Sequence, residues 1–166
     1  MFAAFSADHL MEPFFFKENG SPVTVNGDRY REVITNHIVP QMKRHRCFSK
    51  AIFQQDGAPP HTAAETRNLL TKTFGEDRVI GKFFPFPWPA YSPDLSPCDF
   101  WLSNEIKTSV YQHQLPQNLD DLERKIGNAF SVIDTDLLES VVFNSVKRMH
   151  LCIENNGGHL EHVYNR

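Results

Sequence analysis

Apolar residues open the chain in two short runs, 2–6 and 10–16, separated by Ala7-Asp8-His9. Two aromatic-rich runs about a polar turn predict a β-hairpin, and Pro13 assigns its second strand to an edge or a bulge. Residues 17–27 contain two glycines and a proline and read as a loop, within which Val23, Thr24 and Val25 suit a short strand. Beyond Asn26-Gly27-Asp28, the apolar positions Tyr30, Val33, Ile34, Ile38 and Met42 fall on one helical face. The basic cluster Lys43, Arg44, His45 and Arg46 suits the end of that helix, and Pro40 kinks or ends its last turn.

The pattern changes at residues 50–55, a short apolar strand ending at Asp56-Gly57. Ala58-Pro59-Pro60-His61 makes a stiff turn, and a helix follows over about 62–74. Val79 and Ile80 suggest another strand. Between 83 and 97, Pro85, Pro87, Pro89, Pro93 and Pro97 bias their predecessors away from helix, so this segment reads as extended, rigid loop. A helix then opens at Ser96-Pro97, with Ser96 as N-cap and proline in the first helical position, and runs through Phe100, Trp101, Ile106 and Val110. Residues 117–130 and 134–153 predict two more amphipathic helices, the second stopped by Asn155-Asn156-Gly157-Gly158. Strands interleaved with helices give an α/β or α+β layer with helices packed on a sheet.

Composition narrows the class. A chain of 166 residues suits one domain with a sizeable core. With 40% hydrophobic and 22% charged residues, wholesale disorder is excluded. The formal charge of −3 argues against a globally basic nucleic-acid binder and leaves room for a local basic patch. Cys47, Cys98 and Cys152 are odd in number and far apart, which predicts reduced thiols in an intracellular protein rather than a disulfide framework or a thiolate zinc site. There is no apolar run long enough to span a membrane, and the N-terminal stretch lacks the basic start of a signal peptide.

Among candidate chemical groups, Asp56 stands out, because a carboxylate at the C-terminal end of a strand projects where α/β sites form; as half of an Asp-Gly pair it equally suits a plain turn. Asp99 lies in the first turn of the helix after the proline-rich loop, where it can also serve as a cap. Asp94, following Pro93 in a turn, competes with it. Together, Asp56 and Asp99 are the oxygen ligands a divalent ion such as Mg²⁺ takes, and two such ions activate water or a hydroxyl against a phosphodiester. His61 either assists Asp56 or packs. His159-x-x-His162 is a weak metal pair without a third ligand. Lys43, Arg44 and Arg46 suit phosphate contact as well as a helix terminus, and Phe83, Phe84, Phe86, Trp88 and Tyr91 suit base stacking as well as core packing.

Two long motifs, Gln55-Asp56-Gly57-Ala58-Pro59-Pro60-His61 and Tyr91-Ser92-Pro93-Asp94-Leu95-Ser96-Pro97-Cys98-Asp99-Phe100-Trp101-Leu102, together resemble the mariner-type DDE transposases. The tail Glu154-Asn155-Asn156-Gly157-Gly158-His159-Leu160-Glu161-His162 resembles the arthropod lineage of that superfamily, and the likeness covers essentially the whole chain. It implies a ribonuclease-H-like mixed sheet with flanking helices, acting on DNA in the nucleus with three carboxylates and Mg²⁺ or Mn²⁺. It assigns the second carboxylate to Asp56 and the third to Asp99. The 42 residues between them make a longer gap than the best-known mariner elements have, which keeps Asp94 as a lesser candidate.

The family's first carboxylate lies on a strand ahead of the opening hairpin, and no aspartate here matches it. Residues 1–166 are therefore expected to form a single truncated catalytic domain lacking the first strand, and to be inactive in strand transfer. The alternative is a co-opted, non-catalytic protein that binds nucleic acid or a partner. A missing central strand leaves edges exposed, so poor solubility or a homodimer is expected.

Overall fold

The structure is a computed structural model, and it describes residues 1–112, 114–158 and 160. The chain divides into two compact units: Met1–Phe2 with Phe14–Tyr91, and Ala3–Pro13 with the residues from Ser92 onward.

In the first unit, Phe2 bridges Phe14 in antiparallel fashion, with paired backbone hydrogen bonds of 2.7 and 2.9 Å. The segment read as a loop after residue 16 is in fact a tight hairpin. Strands β1 (Lys17–Glu18) and β2 (Ser21–Pro22) pair antiparallel about Asn19-Gly20. Both turn residues have positive φ, 50° and 78°, which Asn and Gly adopt most readily, and Asn-Gly is the strongest short hairpin signal. The expected strand at Val23–Val25 is absent; only the Val23 N–H extends the pairing, to the Phe16 carbonyl.

Helix α1 (Gly27–Val33) starts where predicted, the Asn26 side chain accepting the Arg29 N–H. It continues through a π-helical turn, Ile34–Ile38, into α2 (Val39–Arg44). Pro40 neither ends nor breaks the run. The Val39 N–H reaches the Ile34 carbonyl five residues back, and Pro40 enters at the start of α2, where its missing N–H costs little. Tyr30, Val33, Ile34, Ile38 and Met42 are buried, as their spacing requires.

Strand β3 (Phe53–Gln54) is narrower than the 50–55 run and pairs in parallel with β4 (Val79–Ile80), the Gln55 N–H adding a 3.0 Å bond to the Ile80 carbonyl. The connection is α3 (Pro59–Thr62), with prolines in its first turn, and α4 (Ala64–Phe74). The helix thus begins three residues before its predicted start and is broken at Ala63. Phe53 stacks on Phe74 with ring centroids 5.0 Å apart, tying β3 to α4. The expected single mixed sheet does not form among the described residues: β1-β2 and β3-β4 are separate two-stranded sheets. The proline-rich segment is non-helical as expected and adds a bridge from Phe86 to Ile80.

In the second unit, Phe5 bridges Leu10 across the predicted polar turn, which the Ser6 hydroxyl closes by donating to Asp8. Cys98–Leu102 form a π-helical turn that leads into α5 (Ser103–Tyr111), followed by α6 (Leu119–Ser131) and α7 (Thr135–Glu154). Asn118 and Asp134 cap the last two helices, and Asn156 and Gly157 end α7 with positive φ. Leu102, Ile106, Val110, Ala129 and Phe130 form this unit's core, with Phe5, Leu10 and Trp101 packed on it. Ser96 directly precedes the first helical residue, Pro97, as expected; it is buried, its hydroxyl donates to the Ser92 carbonyl at 3.4 Å, and its carbonyl accepts the Asp99 and Phe100 N–H groups.

Among the described residues no helix is long and apolar enough to cross a membrane, and Cys47, Cys98 and Cys152 form no disulfide.

Candidate functional site

Asp56 follows β3, where the strand ends and the chain turns toward α3. Its side chain is 48% exposed. The Ala58 N–H donates to Asp56 Oδ1 at 3.1 Å, and His61 Nδ1 lies 2.5 Å from the same oxygen. The His61 hydrogen bond, aided by the Ala58 N–H and any charge on the imidazole, holds the Asp56 carboxyl below the ordinary range against the opposing effect of partial burial. An ionised, half-exposed carboxylate whose hydrogen bonds fall on one oxygen is chemically suited to a hard divalent cation.

Behind Asp56 lies a buried polar pair. Strand alternation sends Gln55 to the opposite side from Asp56, and it is buried. The Tyr30 hydroxyl donates to Gln55 Oε1 at 2.9 Å, and Gln55 Nε2 donates to the His61 carbonyl at 2.9 Å. The Tyr30 ring lies against the imidazole, with centroids 4.3 Å apart. Burial, reinforced by the charge of Asp56, pushes the Tyr30 phenol strongly upward, so it remains a donor. Sequence reasoning counted Tyr30 as helix core and missed Gln55; the one available signal was a polar residue on the inward side of a strand end.

Beside this turn, a Cβ on Gly57 would lie 3.8 Å from Lys82 Cδ. Lys82 Nζ and the Arg67 guanidinium stand 5.3 and 5.0 Å from the centre of the Phe83 ring, which is exposed. Lys43, Arg44 and Arg46 are exposed where α2 ends, with Lys43 over the Phe48 ring at 5.4 Å.

In the second unit, Asp99 is exposed in the first turn of the Cys98–Leu102 segment. Its rival, Asp94, is 7% exposed, and its Oδ2 accepts the buried Leu160 N–H at 2.9 Å. Arg148 Nη1 donates to the Asp94 carbonyl at 2.9 Å while its guanidinium covers Phe100 at 4.1 Å. Asp94 thus holds structure together. His159 and His162 lie outside the described residues, among which no group of three or more His, Cys, Asp or Glu side chains is gathered as a metal site.

No protein-family model matches the chain. Over 142 residues it is 26% identical to the Mariner Mos1 transposase of Drosophila mauritiana, an alignment that covers 83% of this chain and 39% of that protein. The chain therefore spans well under half the length of that relative. The crystal structure of the catalytic domain of Mos1 mariner transposase superposes with a TM-score of 0.77 at 22% identity, covering 96% of this chain and 74% of that one. The Mos1 catalytic domain with Raltegravir and Mg gives 0.71 at 25% identity, over 84% and 67% of the two chains. The Mos1 paired-end complex with the left transposon end gives 0.70 at 26%, over 85% and 39%. The resemblance expected from the two motifs is borne out: the chain is similar in sequence and fold to the catalytic domain of a mariner transposase.

Proposed function

We propose that this chain is a transposon-derived endonuclease domain of the DDE type, with Asp56 and Asp99 as two of its metal-binding carboxylates and DNA as its substrate. The observation that carries the reading is Asp56 itself: an ionised, half-exposed carboxylate at a strand end, in the motif the resemblance rests on. Asp56 and Asp99 would hold Mg²⁺ or Mn²⁺, which when bound supplies an activated water or hydroxyl and neutralises charge at the phosphate. The chain's own contribution is to keep Asp56 deprotonated through its hydrogen bonds and to anchor its turn on β3. Asp94, committed to the Leu160 N–H, is left out of the set.

The fold is read as ribonuclease-H-like. Parallel β3-β4 and the antiparallel bridges of the opening segment, Phe2 with Phe14 and Phe5 with Leu10, support this. Such a domain would work in the nucleus, and edge pairing between two copies would give a homodimer. On Asp56 and Asp99 alone we expect weak Mn²⁺ binding and no strand transfer, since placing two ions about one phosphate asks for more anionic ligands. Purified chain, Mn²⁺ and labelled transposon-end DNA test this: binding of Mn²⁺ lost in Asp56→Asn supports the site. Robust cleavage abolished by Asp56→Ala would keep the site and overturn the inactivity.

A second reading, DNA binding without cleavage, is favoured by one observation. Arg67 and Lys82 flank an exposed phenyl ring beside the Asp56-Gly57 turn, and cations interleaved with an aromatic suit a single strand. Fluorescence anisotropy should show Lys82→Glu weakening oligonucleotide binding more than Lys43→Glu; equal effects would count against it.

A further inference from the structure

We infer that His61 is the positioning residue of Asp56: held by Tyr30 and Gln55, its Nδ1–H fixes the carboxylate through Oδ1 and presents Oδ2 to a divalent ion. The inference rests on the metal-binding reading above and deepens it.

The direction of every hydrogen bond in this chain of contacts is determined. The His61 carbonyl only accepts, so the Gln55 group that faces it is Nε2, which donates to it. That fixes the amide and turns Oε1 toward buried Tyr30, whose O–H donates to it. The carbonyl clamp sets the backbone of α3 at His61, and the Tyr30 ring at 4.3 Å restricts the imidazole plane. Asp56, as a carboxylate, only accepts, so the proton between His61 Nδ1 and Asp56 Oδ1 belongs to the histidine. The Ala58 N–H ends on the same oxygen. Two donors from one turn therefore pin one oxygen of a carboxylate that solvent would otherwise leave free to rotate. A packing role for His61 would require the ring contact alone. It would not require a buried amide that joins the His61 carbonyl to the Tyr30 hydroxyl, or an Nδ1 aimed at an acid five residues back.

Asparagine and glutamine separate these roles, because an Asn side-chain N–H₂ can occupy the place of Nδ1 whereas that of Gln reaches toward Nε2. The test uses the full chain and two readouts. In metal-free wild-type protein at pH 8, long-range ¹H–¹⁵N NMR should show His61 protonated on Nδ1. An Nε2–H tautomer overturns the inference whether or not any metal binds. Mn²⁺ affinity, read from water-proton relaxation, should fall about 10–100-fold in His61→Gln and His61→Ala, the range expected on loss of a group that orients a ligand. His61→Asn should return to within a few-fold of wild type. Equal losses in the Asn and Gln variants, with circular dichroism showing both folded, would overturn it. Tyr30→Phe, which keeps the ring and removes the O–H, guards against a folding artefact and should weaken Mn²⁺ less than His61→Gln; the reverse order counts against the clamp. If Asp56→Asn binds Mn²⁺ as wild type does, the metal-binding reading falls, while the tautomer still decides whether His61 holds Asp56.

Discussion

Asp56 and Asp94 each follow or precede proline-rich turns and each belongs to a motif that points to chemistry, yet their surroundings differ. Asp56 is half exposed, takes both hydrogen bonds on Oδ1 and sits on a side-chain network. Asp94 is buried, and its Oδ2 closes on the main-chain N–H of Leu160, a residue with no exposure at all. A carboxylate that satisfies a buried backbone donor cannot leave that donor without cost, so Asp94 is structural. A carboxylate pinned through one oxygen at the surface can accept a cation with no rearrangement of the fold. Sequence pattern alone cannot separate the two; the identity of the donor and its burial do.

The largest effect expected from this comparison is on stability. Asp94→Ala removes a charge-assisted hydrogen bond and strands the Leu160 N–H, and should lower the unfolding free energy by about 3 kcal/mol. Asp56→Ala, at a half-exposed site, should cost less than about 1 kcal/mol. Urea denaturation of both variants checks the pair, and a larger loss for Asp56 would invert the comparison.

Metal binding should run the other way. Asp56→Asn keeps the shape and removes the charge, so Mn²⁺ affinity should fall about 10-fold or more. Asp94→Asn should leave it unchanged. Removing the ion with EDTA should leave far-ultraviolet circular dichroism of the wild type unaltered, since the Asp56 turn is held by protein donors. Mn²⁺ binding lost in the Asp94 variant while its fold persists would reassign the third carboxylate.

A smaller effect is expected from acid. The folded-state pKa of Asp56 lies below its unfolded value of about 3.9, so its contribution to stability is complete above that pH and is lost as pH falls through the depressed folded value. Asp121 is lowered as well, by the Gln117 N–H and by Arg124, and titrates in the same window. In an Asp121→Asn background with metal chelated, Asp56→Asn should flatten the remaining acid limb of the urea midpoint below about pH 4, and leave the pH 5–7 region parallel to the parent. An unchanged acid limb would mean that the His61 bond does not hold the carboxyl low.

Much of the fold was legible because its signals are local. The helical face of Tyr30, Val33, Ile34, Ile38 and Met42, the strand at Phe53 and the stop at Asn156-Gly157 each follow from neighbours in sequence. The β1-β2 turn was equally local, but Glu18, Ser21 and Pro22 lack strand-like alternation and masked the Asn19-Gly20 signal. The π-helical turns were not legible, since the apolar positions fit an α-helical face and the extra residue shows in the bonds from the Val39 N–H to the Ile34 carbonyl and from the Ser103 N–H to the Cys98 carbonyl. Nor was the single sheet's division into two, which depends on what pairs with what. Asp56 could be picked from its motif, with His61 five residues on as a candidate helper, while the Tyr30–Gln55 bond joins residues 25 apart and was signalled only by the inward polar side chain of Gln55. The structural tie of Asp94 was not legible either, because its partner, the Leu160 N–H, lies 66 residues on.

The smallest expected effect concerns Ser96, which sits two residues from Asp94 and reads in sequence as a helix cap. A capping serine replaced by alanine typically costs about 1 kcal/mol, because a helix N–H loses its partner. Here the helix amides of Asp99 and Phe100 bond the Ser96 carbonyl, at 2.8 and 3.0 Å, and a carbonyl survives the substitution. Ser96→Ala removes a 3.4 Å hydroxyl contact to the Ser92 carbonyl, near the outer limit of a hydrogen bond. The buried hydroxyl leaves with its donor, so no group that needs a proton is created, while the Ser92 carbonyl is half-buried rather than sealed from water. The loss should be about 0.5 kcal/mol, below the cap value and far below that of Asp94→Ala. A urea midpoint shift as large as a cap deletion would show that the Ser96 hydroxyl serves the amides after all. The side chains of this loop would then owe less to the Asp94 anchor than the burial of its carboxylate implies.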